Sequence, residues 1–304
     1  MRVRRGVLAP AQQWAKLKPW ERYVARIHAV VLLRPGVVMC GESAAVVLGL
    51  PIFGEPADVH VLDTPTATAR LHGGIRVHTT HADRAIVQVG GILATSMIDT
   101  VIDVARSRHG AVGLAVADAA LRADPDLSVE TFVAANESRA SIRGRRVARW
   151  ALHRATALAE TPLESVSRAA IEWLGFEDPT LQVAFRTGGA LDRSDMWWEK
   201  ARVIGEADGD IKYDGSLQPS AEAIRKEKDR DRRLRHHASG IGHWGWSDVA
   251  RVAPLRDALH HAGLRPVAPE TSRELLSLST LLGRRHASGR DRAPDRETAT
   301  GRRD

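Results

Sequence analysis

The sequence predicts an α/β protein, because strand-like and helix-like patterns occur in both halves of the chain. Between Asp58 and Gln88, β-branched residues alternate with polar ones, which is the period-two pattern of strands. Apolar residues recur at helical spacing in the stretch Ser96–Arg122. Capping signals mark another helix over Thr161–Leu174, and three more strand candidates follow within residues 182–207.

The 304 residues carry 44 Lys+Arg against 37 Asp+Glu, a formal net charge of 44 − 37 = +7, and 43% of them are hydrophobic. This length and apolar share predict two domains, and the charge permits attraction to phosphate without demonstrating it. A single cysteine, Cys40, excludes intrachain disulfides and cysteine-built zinc sites. No apolar run approaches the about 20 residues of a membrane span, and the first residues lack the apolar core of a secretory signal. We therefore expect a cytoplasmic protein with no membrane partner.

The first half is predicted to form a domain over residues 1–135. It begins with a basic β-like stretch, Arg2–Leu8, and Pro19 suits the first turn of the helix that follows. Ser43 is the expected N-cap of a short helix that stops at Pro51. The remaining elements expected here are the helix Glu21–Leu33, the strands Val59–Leu62, Ile75–His78 and Ala85–Val89, the helical stretch Ser96–Arg122 and a short helix Ser128–Ala135.

A basic run is expected to join the two domains through a helical junction, residues 136–158. Within residues 136–154 it carries six arginines and one acid, Glu137. Such a run is either a solvated helix face or a face that contacts phosphate, and the pattern leaves both interpretations open.

The second half is predicted to form a domain over residues 159–268. Thr161 is the candidate N-cap of its first helix, Pro162 takes the first position, and Gly175 ends the helix. After it we expect strands Gln182–Arg186, Ser194–Trp198 and Ala201–Ala207, a charged helix Glu222–His237, a strand Trp244–Val249, a helix Ala253–Ala262 and an apolar segment Leu275–Leu282. Residues 283–304 contain nothing more hydrophobic than alanine and are expected to be a disordered basic tail.

Several carboxylates of the second half are expected to meet. Glu206 and Asp208 point the same way along one strand, and a tight hairpin would bring Asp195 beside them. Such a cluster is costly without a cation and offers the oxygen ligands that Mg²⁺ prefers. Bound Mg²⁺ could polarise a scissile phosphate and activate water, and a lysine at that edge could stabilise the developing charge. Three acids also have a simpler interpretation: Asp208 in a turn, Glu164 as a helix cap, and Asp195 paired with Arg193 or Arg202.

Five segments of the second half together resemble the PD-(D/E)xK nuclease superfamily, within its very-short-patch-repair-like endonuclease branch in actinobacteria. These segments are Pro162–Arg168, Leu181–Val183, Arg193–Trp198, Val203–Tyr213 and Glu227–Leu234. The resemblance covers about residues 160–250. It implies a restriction-endonuclease-like α/β domain with a mixed central sheet, hydrolysis of phosphodiester bonds, and Mg²⁺ or Mn²⁺ as the cofactor of an active enzyme.

The same resemblance implies roles for individual residues. Asp195 and Glu206 would ligate the metal, Glu164 would be a supporting acid, and Asp208 would lie near the metal. The lysine that the superfamily usually has two residues after the second acid is Asp208 here. Lys212 is either a migrated equivalent of that lysine or an unrelated surface lysine.

The first half is similar to the AbiEi-type antitoxin and regulator proteins of actinobacteria over about residues 1–122. The segments that carry this likeness are Arg4–Leu8, Pro19–Arg22, Ser43–Pro51 and Ala94–Arg106. Members usually begin with a winged helix-turn-helix, whereas this chain starts within the wing. Either the start codon is assigned too late or this mode of DNA recognition is lost.

Two functional hypotheses follow. In the first, a metal-dependent nuclease holds nucleic acid, expected to be DNA, through basic residues of the charged helix: Arg225, Lys226, Lys228, Arg232 and Arg235. In the second, the protein is a non-catalytic AbiEi-type antitoxin or transcriptional regulator, with a toxin partner, whose nuclease-like domain only binds nucleic acid or a partner. The histidines near the charged helix, His243 among them, are expected to be surface or capping residues.

Overall fold

The computed structural model describes residues 1–63, 68–80, 82–208 and 221–287, and the side chains of residues 221–224, 226, 227 and 284–287 are outside that description. Over the described residues the chain has an α/β fold in which helices pack on two mixed sheets. The predicted α/β class is therefore confirmed. No helix in the described ranges is long and apolar enough to cross a bilayer.

The chain begins with a two-stranded hairpin, as predicted for Arg2–Leu8. Strand β1 (Arg2–Arg4) pairs with β2 (Val7–Leu8), and Gly6 makes the turn with a φ of +89°. Helix α1 (Ala11–Lys16) follows, and α2 (Pro19–Leu33) begins at the proline as expected. The buried face of α2 packs on the first of the two sheets.

That first sheet, which we call the N-terminal sheet, has six strands in the order β5-β6-β4-β3-β8-β7. Its strands are β3 (Val38–Met39), β4 (Val59–Asp63), β5 (Arg70–His72), β6 (Ile75–Thr79), β7 (Ile86–Val89) and β8 (Ile92–Thr95). The pairs β4–β6 and β3–β8 are parallel and the others antiparallel.

Ser43 was the expected N-cap of helix α3 (Gly41–Val47), and this prediction is wrong. The helix starts directly after Cys40, because Gly41 adopts a φ of +52° and turns the chain straight out of β3. Ser43 is fully buried, and its Oγ lies 2.7 Å from the Tyr23 hydroxyl and accepts from the backbone N of His60 at 2.7 Å. It therefore ties α3 to α2 and β4.

Five helices connect the two sheets. They are α4 (Met97–Ser107), α5 (Gly110–Ala123), α6 (Val129–Ser138), α7 (Arg145–Leu152) and α8 (Pro162–Trp173). Helix α5 is almost wholly buried and packs between α4 and α8. One hydrophobic cluster runs from Val101 on α4 through Leu114 on α5 to Ile171 on α8. The two predicted halves therefore share a continuous core.

Arginines of the basic run bind acids of neighbouring helices. Arg139 donates to Asp103 at 2.6 Å and to Asp99 at 2.7 Å. Arg149 binds Glu137 at 2.6 Å, and Arg154 pairs with Glu172. Within the described part of the chain, Arg143 and Arg146 are the members of the run with no such partner. Much of the run therefore holds the helices together instead of forming a free phosphate-binding face.

The second sheet, which we call the C-terminal sheet, has the strand order β12-β11-β10-β9. Its strands are β9 (Thr180–Thr187), β10 (Ala190–Trp198), β11 (Val203–Ala207) and β12 (Gly240–Trp244), with α9 (Ala221–Leu234) between the last two. Strand β11 is parallel to β12, and the other pairs are antiparallel. Helices α10 (Trp246–Arg251), α11 (Ala253–His261) and α12 (Ser272–Ala287) complete the described chain.

The local signals of α8 are confirmed. Thr161 Oγ1 accepts from the backbone N of Glu164 at 3.2 Å, Pro162 occupies the first helical position, and Gly175 follows the helix at a φ of +81°.

Two expectations for the end of the chain are wrong. The strand predicted at Trp244–Val249 ends at Trp244, and α10 begins at Trp246. Strand β12 instead covers Gly240–Trp244. Only glycine fits at its first position, because a Cβ at Gly240 would overlap the carbonyl oxygen of Ala262. The predicted disordered tail starts too early, since residues 283–287 continue α12. The remainder of that tail, residues 288–304, lies outside the described residues.

Two histidines on neighbouring strands of the N-terminal sheet form a pair. Nδ1 of His60 lies 2.9 Å from Nε2 of His78, and the rings stack with centroids 5.1 Å apart. Burial, together with the proximity of His78, lowers the pKa of His60 to about 4. The folded protein therefore keeps His60 neutral at pH values where the unfolded chain protonates it.

We expect the free energy of unfolding to fall as the pH is lowered from about 6.5 to about 4, because only the unfolded chain takes up the His60 proton in that window. One pKa unit corresponds to about 1.4 kcal/mol, and partial exposure of the ring leaves an effect of about 2 kcal/mol. Urea unfolding at about pH 7 and about pH 4.5 measures it, and His60→Gln should show the shallower pH dependence. Exposed His28→Gln is the control. An unchanged pH dependence in His60→Gln would contradict the prediction.

Candidate active site

Asp195 and Glu206 lie side by side on the C-terminal sheet, on the face opposite the buried side chains of Trp198 and Trp244. The antiparallel register pairs Met196 with Gly205. Asp195, one residue before Met196, therefore lies opposite Glu206, one residue after Gly205. On the opposite face, a Cβ at Gly205 would come within 2.5 Å of the Trp244 ring. Glycine at 205 thus lets the indole pack against the sheet, and alternation turns Glu206 to the other side. Asp195 Oδ2 accepts from the backbone N of Ala207 at 2.9 Å, which fixes the pairing.

Glu206 is a buried carboxylate with one free oxygen. The residue is 3% exposed. Oε2 accepts from Arg230 Nη2 at 2.9 Å, whereas Oε1 is buried and has no hydrogen-bond partner in the described part of the chain. Burial raises the pKa of Glu206 to about 7, although Arg230 acts in the opposite direction, and the charge of Asp195 raises it further.

His243 connects Asp208 to Asp231 through its two ring nitrogens. Parallel pairing sets His243 opposite Glu206, and the backbone N of Asp208 donates to the Trp244 carbonyl at 2.9 Å. His243 Nδ1 lies 2.9 Å from Asp208 Oδ2, and its Nε2 lies 3.6 Å from Asp231. The hydrogen bond to Asp208 raises the pKa of His243. His243 is exposed, as expected of a surface residue, and its contact with Asp208 also places it beside the acidic side chains.

Glu164 reaches the same place from the first turn of α8. Its Oε2 accepts from the backbone N of Glu160 at 2.9 Å and from Gln182 Nε2 at 3.0 Å. Gln182 has a φ of +56°, a backbone conformation that is rare outside glycine. Residues in such conformations cluster at functional sites. Burial raises the pKa of Glu164, and the nearby charge of Asp195 adds to the rise. The interpretation of Glu164 as a helix cap holds for its hydrogen bond with the backbone N of Glu160. A cap does not explain why Glu164 also lies near the charge of Asp195.

We call the group Glu164, Asp195, Glu206 and Asp208 the acidic site. Burial raises the pKa of Asp195, and Asp208 raises it further, so Asp195 interacts electrostatically with each of the other three. The simpler interpretation of Asp195 as the salt-bridge partner of Arg193 or Arg202 is wrong. Arg193 binds Glu160 at 2.6 Å, and Arg202 donates to the carbonyl of His237 at 2.8 Å.

The donor chemistry of the acidic site suits a divalent cation. Carboxylate oxygens are the ligands of Mg²⁺, and the free Oε1 of Glu206 beside Asp195 is a buried acceptor without a donor. Asp195 and Glu206 are the residues that would hold the ion. In the arrangement described, no group of three His, Cys, Asp or Glu side chains among the described residues converges as a metal site. Arg230 supplies the compensating charge instead.

Helix α9 carries basic residues on two different faces. Arg225, Lys228 and Arg232 are exposed on it, and exposed Arg235 follows its last residue. The predicted residues Lys226, by its side chain, and Lys212 lie outside the described residues. On the inner face, Arg230 binds Glu206, and Arg233 binds Asp192 through two hydrogen bonds of 2.6 and 2.7 Å.

Sequence reasoning missed Arg230, Asp231 and His243. Arg230 and Asp231 belong to the charged helix that was predicted to hold nucleic acid, and its run of charges does not show which side chains turn toward the sheet. The role of His243 depends on the parallel pairing of β11 with β12, which two strands separated by α9 do not reveal in their sequences.

Fold and site together define an α/β protein in which acidic side chains of a mixed four-stranded sheet lie near an acid from helix α8. The chain is 34% identical over 185 residues to the uncharacterized proteins MT2308 and Rv2248, from two strains of Mycobacterium tuberculosis. The match covers 60% of this chain and 67% of each relative. The chain belongs to the family of these mycobacterial proteins. No family model matches it, and no solved structure matches it significantly.

Proposed function

We propose that the protein binds nucleic acid and hydrolyses its phosphodiester bonds at the acidic site with Mg²⁺ or Mn²⁺. The observation that supports this most is the pairing of Asp195 with Glu206 across two strands, where one buried carboxylate oxygen has no donor. Like charges brought together by the backbone are stabilised by a cation. This agrees with the nuclease resemblance of residues 160–250.

The chain's own residues divide the work. Asp195 and Glu206 bind the divalent ion, which when present polarises a phosphate oxygen and lowers the pKa of attacking water. Asp208 accepts a hydrogen bond from His243 and so keeps a proton on Nδ1. Nε2 of His243 is then the atom that takes up or releases a proton. Glu164 orients Gln182 at the rim through the 3.0 Å hydrogen bond.

The exposed face of α9 is the proposed contact with the nucleic-acid backbone. Arg225, Lys228, Arg232 and Arg235 lie on it, and cationic side chains of this kind bind phosphates without regard to base sequence. We expect DNA as the substrate. The cytoplasmic location expected from the sequence remains part of this proposal, and a toxin partner is what the AbiEi resemblance of the first half would add.

One observation favours the second candidate function, a non-catalytic regulator whose nuclease-like part only binds nucleic acid. Arg230 already neutralises Glu206 at 2.9 Å, and His243 already engages Asp208. Carboxylates whose charge is already paired with protein side chains do not require a metal ion.

Incubating the purified chain with supercoiled plasmid DNA separates the two candidates. We expect nicking with Mg²⁺ or Mn²⁺ and none when EDTA removes the ion, together with heat released by Mg²⁺ binding in calorimetry. DNA binding without cleavage under any divalent ion, and without a heat of Mg²⁺ binding, would overturn the nuclease proposal in favour of the regulator.

A further inference from the structure

A second polar site lies far along the chain from the acidic residues, beneath the N-terminal hairpin. A cavity of about 510 Å³ opens between β1, α2 and the turn that joins β5 to β6. Five arginines line it, and no acidic side chain of the described residues does: Arg2, Arg4, Arg5, Arg26 and Arg34. We call it the arginine cavity. Its volume is within the range of small-molecule sites, about 300–1,000 Å³.

Two of these arginines are fixed by the fold. Arg4 Nη2 donates to the Gly73 carbonyl at 2.7 Å and holds the hairpin against the β5–β6 turn. Arg26 donates to the Ala57 carbonyl at 3.0 Å and lies 3.4 Å from Glu55, which is outside the cavity lining. Their guanidinium groups are therefore pre-positioned, which reduces the entropy lost when a ligand binds.

The other three, Arg2, Arg5 and Arg34, are exposed and have no acidic partner in the described part of the chain. Burial lowers the pKa of Arg4, and the charge of Arg34 lowers it further. The cavity is thus a concentration of uncompensated positive charge, which attracts anions and costs free energy while it is empty of them.

The floor of the cavity is apolar. Leu33 on α2 lines it and is 45% exposed, whereas Val30, Val59 and Ile75 lie almost wholly buried behind the arginines. A nucleic-acid backbone would need only the cationic rim, because its phosphates and sugars are polar. A rim of arginines above a hydrophobic floor instead matches a small ligand that joins a phosphate to a flat apolar group.

We propose that the arginine cavity binds the phosphate of a small ligand of nucleotide size, with the ligand's apolar part against Leu33. Arg5 and Arg34 are the free cations that pair with the phosphate, and Arg4 and Arg26 frame it. The site is separate from the acidic site, so it stands whether or not the protein cleaves DNA.

Calorimetry of the full chain at low ionic strength tests this, with AMP, inorganic phosphate and a short DNA duplex as probes. We expect AMP to bind, and to bind more tightly than phosphate. Arg5→Gln and Arg34→Gln should each weaken AMP binding about tenfold, the worth of one charge-assisted hydrogen bond. Arg143→Gln removes the same charge from an exposed arginine outside the cavity and should leave AMP binding unchanged.

Other outcomes overturn the proposal. These are absence of AMP binding, equal weakening in Arg143→Gln, and binding of the duplex alone with loss in Arg5→Gln and Arg34→Gln. The last result would assign the cavity to a nucleic-acid backbone. Both cavity arginines are exposed and make no side-chain bonds in the described part of the chain, so the variants should fold, and thermal melting confirms that they do.

Discussion

Replacing Asp195 by asparagine is expected to slow Mg²⁺-dependent DNA cleavage about 10²–10³-fold while the protein stays folded. The amide oxygen of asparagine can still accept from the backbone N of Ala207, now at 2.9 Å, so the β10–β11 pairing survives. The substitution removes the negative charge of Asp195, a carboxyl group whose pKa is raised by burial and by neighbouring acids. Removing it relieves repulsion in the folded state and removes a proposed ligand of the ion. Glu206→Gln should behave in the same way.

The comparison needs a matched control. Asp257 on α11 is exposed, and Asp257→Asn makes the same chemical change outside the acidic site. Nicking rates, the heat of Mg²⁺ binding and the melting temperature should be measured for all three variants. We expect both the rate and the Mg²⁺ affinity to fall in Asp195→Asn and Glu206→Gln and neither to change in Asp257→Asn. Cleavage at the wild-type rate in Asp195→Asn would contradict the assignment of the acidic site as the place of DNA cleavage.

Short-range signals in the sequence were enough to predict α8 and the meeting of Asp195 with Glu206. Thr161, Pro162 and Gly175 act within one helical turn, so their consequences are visible in the sequence itself. The meeting of the two acids needed only a hairpin between adjacent strands and the alternation of side chains.

Expectations failed where distant residues decide. Ser43 looked like a cap, yet its hydroxyl is taken by Tyr23 and by the backbone of β4. His243 is exposed as predicted, yet its place beside Asp208 comes from parallel pairing across α9. In each case a tertiary contact decides what the side chain binds, and one sequence contains no signal for that contact.

The division of the chain into two domains at 136–158 stays a prediction, and a buried ion pair allows a test of it. Asp118 on α5 is 0% exposed and belongs to the first half. Its Oδ2 accepts from Arg168 Nη1 at 3.1 Å, which comes from α8 in the second half. Its Oδ1 accepts from the backbone N of Thr156 at 2.7 Å. Burial raises the pKa of Asp118 to about 6, against the opposing effect of Arg168.

Asp118→Ala is expected to lower the free energy of unfolding by about 3–5 kcal/mol, because it leaves a partly buried Arg168 without its acid and the backbone N of Thr156 without an acceptor. Asp118→Asn keeps an acceptor and should lose less. Exposed Asp126→Ala should change the free energy by under about 0.5 kcal/mol. Urea unfolding followed by circular dichroism measures all three.

The number of unfolding transitions tests whether the two halves unfold as separate domains. Because one hydrophobic cluster joins α4 and α5 to α8, we expect a single cooperative transition that moves as a whole to lower urea in Asp118→Ala. Independent domains would instead give two transitions, of which the substitution shifts only one. A loss below about 1 kcal/mol would mean that the Asp118–Arg168 pair does not hold the halves together, whatever the number of transitions.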